Sequence, residues 1–185
     1  MTKPLLHGLT LEKWQMIHQA ACQLEVPDVN LAAVICFETG ESFSPLAENP
    51  YSGAIGLIQF TKKGVSSIPA FVAKQDWWAV KARLKKMSFE EQLFGPVVDY
   101  LIANRAVGRQ ELADLYMAVL APLFVKRGMD SILYRAPNKS YTQNKDLDDA
   151  RKGYITKADA AQEVYKKLEK VKARVKKLEK GANLI

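Results

Sequence analysis

The spacing of apolar and polar residues along most of the chain predicts a mainly α-helical fold. The first predicted helix follows Thr10, a typical N-cap residue, and its apolar face consists of Trp14, Ile17, Ala21 and Leu24. The second is apolar at every position from Leu31 to Phe37, which is typical of a helix buried on all sides. Gly40 is placed to end this buried helix.

A loop-rich segment interrupts the helical pattern over residues 40–60. Prolines, glycines and short polar residues are concentrated there, and a short hairpin is expected near residues 55–60. Helical spacing returns downstream, where Ser88 and Glu91 form a capping-box pattern and Pro96 lies in a first turn or kinks its helix. The pattern therefore predicts a helical domain with one loop or hairpin insertion after the buried helix.

The length of 185 residues and the apolar fraction of 48% fit one compact domain with a sizeable core. Residues 1–155 are expected to form its body, with residues 135–153 as a polar connector. Residues 156–185 are expected to form a long basic amphipathic helix attached to the same domain. The sequence contains no evident internal repeat, so a solenoid is not expected. We expect the protein to be a monomer.

The net charge of +7 belongs to the C-terminal helix and not to the body. Residues 1–150 hold 16 basic and 16 acidic side chains, whereas residues 151–185 hold 11 basic and 4 acidic ones. This distribution predicts a local anionic contact and no nucleic-acid partner. The predicted apolar stripe of this helix consists of Ala161, Val164, Leu168, Val171, Val175, Leu178, Ala182 and Ile185.

Two interpretations of this stripe are open. It packs on the domain itself or on a partner helix, or the helix over Lys166–Lys180 lies on an anionic outer-membrane surface.

Several classes of protein are not expected from the sequence. No apolar run is long enough to cross a bilayer, and the start of the chain lacks the apolar core of a signal peptide. Residues 148–159 have the outline of a calcium loop, but Ala150 and Lys152 stand where oxygen ligands are needed, so we expect no bound metal. No cofactor motif is present either.

Glu38 is the residue that points most directly to chemistry. It ends the buried apolar helix, where burial and the negative end of the helix dipole both disfavour a carboxylate anion. A carboxyl group that stays protonated near neutral pH is what glycoside cleavage requires, because the leaving oxygen must receive a proton. A purely structural carboxyl group at the end of a helix is the alternative.

Three motifs in this order resemble the superfamily of soluble lytic transglycosylases and goose-type lysozymes, particularly its phage-encoded members. They are Glu38-Thr39-Gly40, Phe43-Ser44-Pro45 and Gly53-Ala54-Ile55-Gly56-Leu57-Ile58-Gln59. The segment from Leu115 to Pro122 is also similar to the tyrosine-bearing helix of that family. The likeness covers roughly residues 10–135.

This resemblance implies a lysozyme-like α+β fold that cleaves the β-1,4 bond between N-acetylmuramic acid and N-acetylglucosamine of bacterial peptidoglycan. It implies an endolysin or a virion-associated muramidase, made in the host cytoplasm and acting on the cell wall from the periplasm. Glu38 would be the general acid and base, and the residues implied to contact or position the glycan are Tyr51, Gly53, Ile58, Gln59, Phe60 and Tyr116.

The subtype of reaction is left open by the sequence. Glu41 is a candidate second catalytic carboxylate, or it is a solvated loop charge. A lytic transglycosylase works with one carboxyl group, because the 6-hydroxyl of the sugar attacks and a 1,6-anhydro product forms. A non-catalytic peptidoglycan-binding or virion structural protein with the same fold is the third possibility.

Overall fold

One buried helix organises the fold, and other helices pack around it. The computed structural model describes residues 6–68, 71 and 76–182. The α-helices are α1 Leu11–Leu24, α2 Asp28–Glu38, α3 Trp77–Lys86, α4 Phe89–Gln92, α5 Val98–Ala103, α6 Leu112–Leu120, α7 Lys139–Gln143 and α8 Lys157–Ala182. Two strands, β1 Ile132–Arg135 and β2 Tyr154–Thr156, form an antiparallel sheet. The protein is thus mainly helical, as the pattern predicts.

Helix α2 is the central helix, because its residues from Asn30 to Cys36 are all buried. It contacts α1, α6 and α8. The hydroxyl of Thr10 accepts a hydrogen bond from the backbone N–H of Lys13 (3.2 Å), which confirms the predicted N-cap of α1. Burial of the apolar side chains of α2 and of the helices around it removes apolar surface from water, which is the main contribution to the stability of such a domain.

The segment from α4 to α5 is one nearly continuous helix with a wide turn in its middle. Ser88 and Glu91 form the predicted capping box at its start. A π-helical turn over Leu93–Val97 contains Pro96, whose ring and missing N–H prevent a regular α-helical turn. The predicted disturbance at Pro96 is therefore confirmed as a π-turn.

The C-terminal helix α8 is part of the core and contacts α2, α6 and α1. Ala161, Val164, Leu168, Val171 and Val175 are buried, Leu178 is partly buried, Ala182 is exposed, and Ile185 lies outside the described residues. The stripe thus packs on the domain itself, which leaves only the lysine-rich face of α8 for an anionic surface.

The connector predicted over residues 135–153 contains more structure than expected. It holds α7, and β2 directly follows it and runs into α8 without a linker, so the expected boundary at residue 155 falls inside a strand. Asp148 accepts hydrogen bonds from Tyr141 and from the backbone of Lys152 and Gly153. The ammonium group of Lys152 lies 2.7 Å from the carboxylate of Asp159, which a calcium ion would need as its ligand.

Within the described residues, no single helix combines the length and the apolar character needed to cross a bilayer. Helices α1 and α2 have the required length and apolar character only when they are taken together, and the two helices are bent by 115° relative to each other.

Candidate functional site

Helix α2 ends at Glu38 in a tight C-terminal turn. Gly40 has a left-handed conformation (φ 57°), and its N–H donates to Phe37 O while the N–H of Glu41 donates to Cys36 O (2.7 Å). This pair of bonds is a Schellman motif, which favours glycine at the left-handed position. It confirms Gly40 as the helix terminator and places Glu38 at the negative end of the helix dipole.

The carboxyl group of Glu38 opens into a cleft of about 380 Å³. Three other residues expected at the site, Ile58, Gln59 and Phe60, line the same cleft. The remaining lining residues come from the turn after Phe60, from α5, and from the end of α6 with the residues that follow it: Thr61, Lys63, Gly64, Ser67, Tyr100, Asn104, Val119, Leu120 and Pro122. This volume lies in the range of small-ligand sites in proteins.

Burial raises the pKa of Glu38 from 4.5 to about 8. The side chain is half-buried, and the described residues provide it with no ion pair or hydrogen bond, so none of them stabilises the anion. The negative charge of Glu38 also contributes to a raised pKa of both Tyr100 and Tyr116, after their own burial. At neutral pH the carboxyl group is therefore protonated and can donate its proton.

The loop after α2 is held in an unusual backbone conformation. Glu41 (φ 72°) and Phe43 (φ 49°) both have positive φ angles, which are costly for residues with a side chain. Buried Thr39 holds the loop, because its hydroxyl donates to Ile35 O (2.7 Å) and accepts from the N–H of Phe43 (3.0 Å). The ammonium group of Lys13 donates to Phe43 O from α1 (2.9 Å). These contacts fix the residues next to Glu38.

A buried glutamine holds the loop that carries Ile58 and Gln59. The amide nitrogen of Gln92 donates to Pro45 O and Leu84 O (both 2.9 Å), and its oxygen accepts from the N–H of Leu57 (3.1 Å). Gly56 has a φ of 90°, and a Cβ there would lie 2.7 Å from Gln92 Oε1. Only glycine therefore lets this loop approach Gln92.

Gln59 is positioned by the same loop. Its Nε2 donates to Ala47 O (2.9 Å) and Gly56 O (3.2 Å), and its backbone is left-handed (φ 52°). Its amide nitrogen is therefore used in hydrogen bonds to the loop, and its amide oxygen is the group that can accept a hydrogen bond from a ligand in the cleft. Ile55 and Phe60 exchange both backbone hydrogen bonds, so the expected hairpin is a tight turn closed by one bridge.

Tyr100 and Asn104 of the segment ending α5 line the cleft but were not anticipated as site residues. The hydroxyl of Tyr100 donates to Val119 O (3.2 Å), and its ring meets that of Phe60 edge to face. Asn104 donates to Tyr100 O (2.8 Å). The sequence gives no separate signal for them, because on a helix a residue that lines a cleft and a residue of the core have the same spacing.

Four of the expected site residues do not line the cleft. Tyr116 is buried behind it, with its ring edge to face against Phe37 (5.4 Å). Tyr51 is 97% exposed on the loop, and Gly53 lies beside the ammonium group of Lys81. Glu41 faces α8.

Glu41 forms ion pairs with two lysines of α8. Its Oε1 lies 2.6 Å from Lys167 Nζ and 2.5 Å from Lys170 Nζ. Hydrogen bonds from these two ammonium groups lower the pKa of Glu41, so it is an anion at neutral pH. The geometry does not bring this carboxylate into the cleft, and it connects the loop after α2 to the C-terminal helix instead.

Replacing Glu41 with Gln is expected to lower the free energy of unfolding by about 1 kcal/mol at pH 7, because partly exposed ion pairs contribute little. The lowered pKa means that this contribution is present above the ordinary pKa of 4.5 and is lost as the pH falls through the lower folded value. Urea unfolding at pH 7 and pH 2.5 measures this difference. Glu25→Gln is the control, since Glu25 is exposed and has no ion pair among the described residues. An equal effect of both variants would contradict the role of Glu41.

Comparisons with models of protein families, with curated proteins and with solved structures found no match for this chain.

Proposed function

We propose that this protein cleaves the glycan strand of bacterial peptidoglycan at the β-1,4 bond between N-acetylmuramic acid and N-acetylglucosamine. Glu38 acts first as general acid and then as general base. The observation that carries the proposal is a half-buried carboxyl group with a pKa of about 8 that opens into a cleft. A carboxyl group of this kind is the proton donor that glycoside cleavage needs.

The arrangement of the three sequence motifs supports the same proposal. Glu38-Thr39-Gly40 ends the buried helix, Phe43 and its neighbours form the loop beside it, and Ile58 and Gln59 line the cleft. The proposal includes a lysozyme-like fold and, by the resemblance, a phage endolysin or a virion-associated muramidase that reaches peptidoglycan in the periplasm.

The chemistry follows from the protonation state of Glu38. Its proton is transferred to the glycosidic oxygen as the bond from that oxygen to the anomeric carbon breaks, and positive charge develops on the sugar ring. Glu38 is then a carboxylate in a poorly hydrated site. It accepts a proton from the hydroxyl group that attacks the anomeric carbon, which restores the acid.

One observation favours the transglycosylase form of this reaction. Glu38 is the only carboxyl residue among the described residues that line the cleft, and Glu41 is held by lysines of α8. Glycoside hydrolases usually use two carboxyl groups at a defined separation. With one carboxyl group, the 6-hydroxyl of the muramic acid can attack in place of water, and a 1,6-anhydro end forms.

Mass spectrometry of the fragments released from purified peptidoglycan tests the proposal. A reducing muramic acid end would show hydrolysis, and a 1,6-anhydro end, lighter by one water, would show the transglycosylase reaction. Glu38→Gln is the control for contaminating activity. If wild-type protein binds the polymer and releases neither fragment, the protein is a non-catalytic binding protein and the proposal is wrong.

A further inference from the structure

The cleft contains one cationic side chain whose charge has no partner among the described residues. Lys63 lines the cleft with Glu38, and its ammonium group forms no ion pair or hydrogen bond with the described residues. Lys152, Lys167 and Lys170, by contrast, are held by the carboxylates of Asp159 or Glu41. A cation that the protein does not neutralise is available to a ligand.

The position of Lys63 in the cleft is fixed by the turn that carries it. Lys63 directly precedes the 3-10 turn Gly64–Ser67. A Cβ at Gly64 would lie 3.4 Å from the ring of Tyr100, so the turn is closely packed on α5. Asn104 also donates to Ser67 Oγ (3.4 Å). The turn therefore holds the backbone of Lys63 against the wall that Tyr100 forms.

The charge balance of the cleft indicates the kind of ligand. The charged residues among its described lining are Glu38 and Lys63, and Glu38 is protonated near neutral pH. When Glu38 is protonated, the described lining of the cleft therefore carries a net positive charge. A neutral polysaccharide makes no use of this charge, whereas a glycan with carboxylates is attracted to it and held in one register.

We propose that Lys63 is a specificity-determining residue that pairs with a carboxylate of the muramic acid side of the glycan. The inference rests on the proposed function and defines its substrate as an anionic glycan. Two sources supply such a carboxylate: the lactyl group of muramic acid on strands without peptides, and the peptide stems on intact strands. Both present the same group to the same ammonium ion.

Binding measurements in the Glu38→Gln background test this role without turnover. Soluble glycan strands are prepared with and without peptide stems, and a portion of each is amidated to remove the carboxylates. Titration calorimetry at low salt then compares Glu38→Gln alone with the same protein carrying Lys63→Met. The neighbouring Lys62→Met is the matched control, because Lys62 is an exposed lysine that does not line the cleft.

Lys63→Met is expected to raise the Kd for carboxylate-bearing strands about fivefold, the effect of an exposed ion pair. It should leave the Kd for amidated strands unchanged, and about 0.5 M salt should remove most of the difference. Lys62→Met should change neither value. The set of strands on which the loss appears identifies the lactyl or the peptide carboxylate.

An equal loss on native and amidated strands, or equal effects of the Lys62 and Lys63 variants, would overturn the role of Lys63. Failure of the proposed function has a different signature, since wild-type protein would then release no fragment from any strand. Lys63→Arg should retain tight binding, which separates the charge from the shape of the side chain.

Discussion

Replacing Glu38 with Gln is expected to lower kcat for glycan cleavage by roughly 10²–10⁴-fold, the usual contribution of a positioned general acid. The amide has nearly the shape of the protonated carboxyl group, but it cannot transfer a proton to the leaving oxygen. Binding of the glycan should be retained, so the loss should appear in kcat and not in KM. Release of soluble fragments over time measures the change.

The pH dependence of the wild-type protein follows from the same residue. Because the acid form of Glu38 is the active one and its pKa is about 8, activity should fall as the pH rises through that value. The raised pKa also means that the folded state prefers the protonated form. The stability that this preference provides is complete below pH 4.5 and is lost as the pH rises through about 8.

Glu38→Gln should therefore gain stability relative to wild type as the pH rises from 5 to 9, while it loses activity. Urea unfolding at both pH values tests this, and it also shows that the variant folds. Wild-type turnover in Glu38→Gln would refute the proposed mechanism. The same assay on Glu41→Gln decides whether a second carboxylate takes part, since a loss as large as that of Glu38→Gln would assign it a catalytic role.

Replacing Gln92 with Leu is expected to lower the free energy of unfolding by roughly 2–5 kcal/mol, because buried polar groups are left without partners. The N–H of Leu57 and the carbonyl of Pro45 would both lose their hydrogen bond to Gln92. Leucine is similar in volume, so the loss reports hydrogen bonds and not an empty cavity. Urea unfolding at pH 7 provides the measurement.

The exposed Gln162 of α8 supplies the matched control, and Gln162→Leu should change the free energy of unfolding by less than about 0.5 kcal/mol. Gln92→Leu should also raise KM, since the loop with Ile58 and Gln59 is no longer fixed against α3 and α4. If Gln92→Leu were as stable as wild type, the network around Gln92 would not hold the wall of the cleft.

Local signals in the sequence were sufficient for most of the longer helices and for the position of Glu38. The cap at Thr10, the capping box at Ser88 and the terminator Gly40 each depend on residues within a few positions of one another. The uninterrupted apolar run of α2 identifies a fully buried helix for the same reason. The position of Glu38 at its end therefore follows from the sequence, and so does the direction of its pKa shift.

Contacts between distant parts of the chain were not predictable in this way. Glu41 is 126 residues from Lys167, and no periodic pattern connects a loop carboxylate to a particular lysine. The two-stranded sheet was missed because β2 has three residues, which is too short for an alternating pattern. Tyr100 lies on an apolar helix face, where a residue that lines a cleft and a residue of the core have the same spacing.

The packing of α8 on α2 has a consequence for how the protein is made. Chains emerge from the ribosome N-terminal end first, and the residues of α8 follow Glu38 by about 120 positions. Because synthesis adds about 5–20 residues per second, α8 is made roughly 6–24 seconds after α2, which it covers in the folded protein. The nascent chain therefore exposes an apolar surface during that interval, and Glu38 reaches its final environment only after α8 has been synthesised.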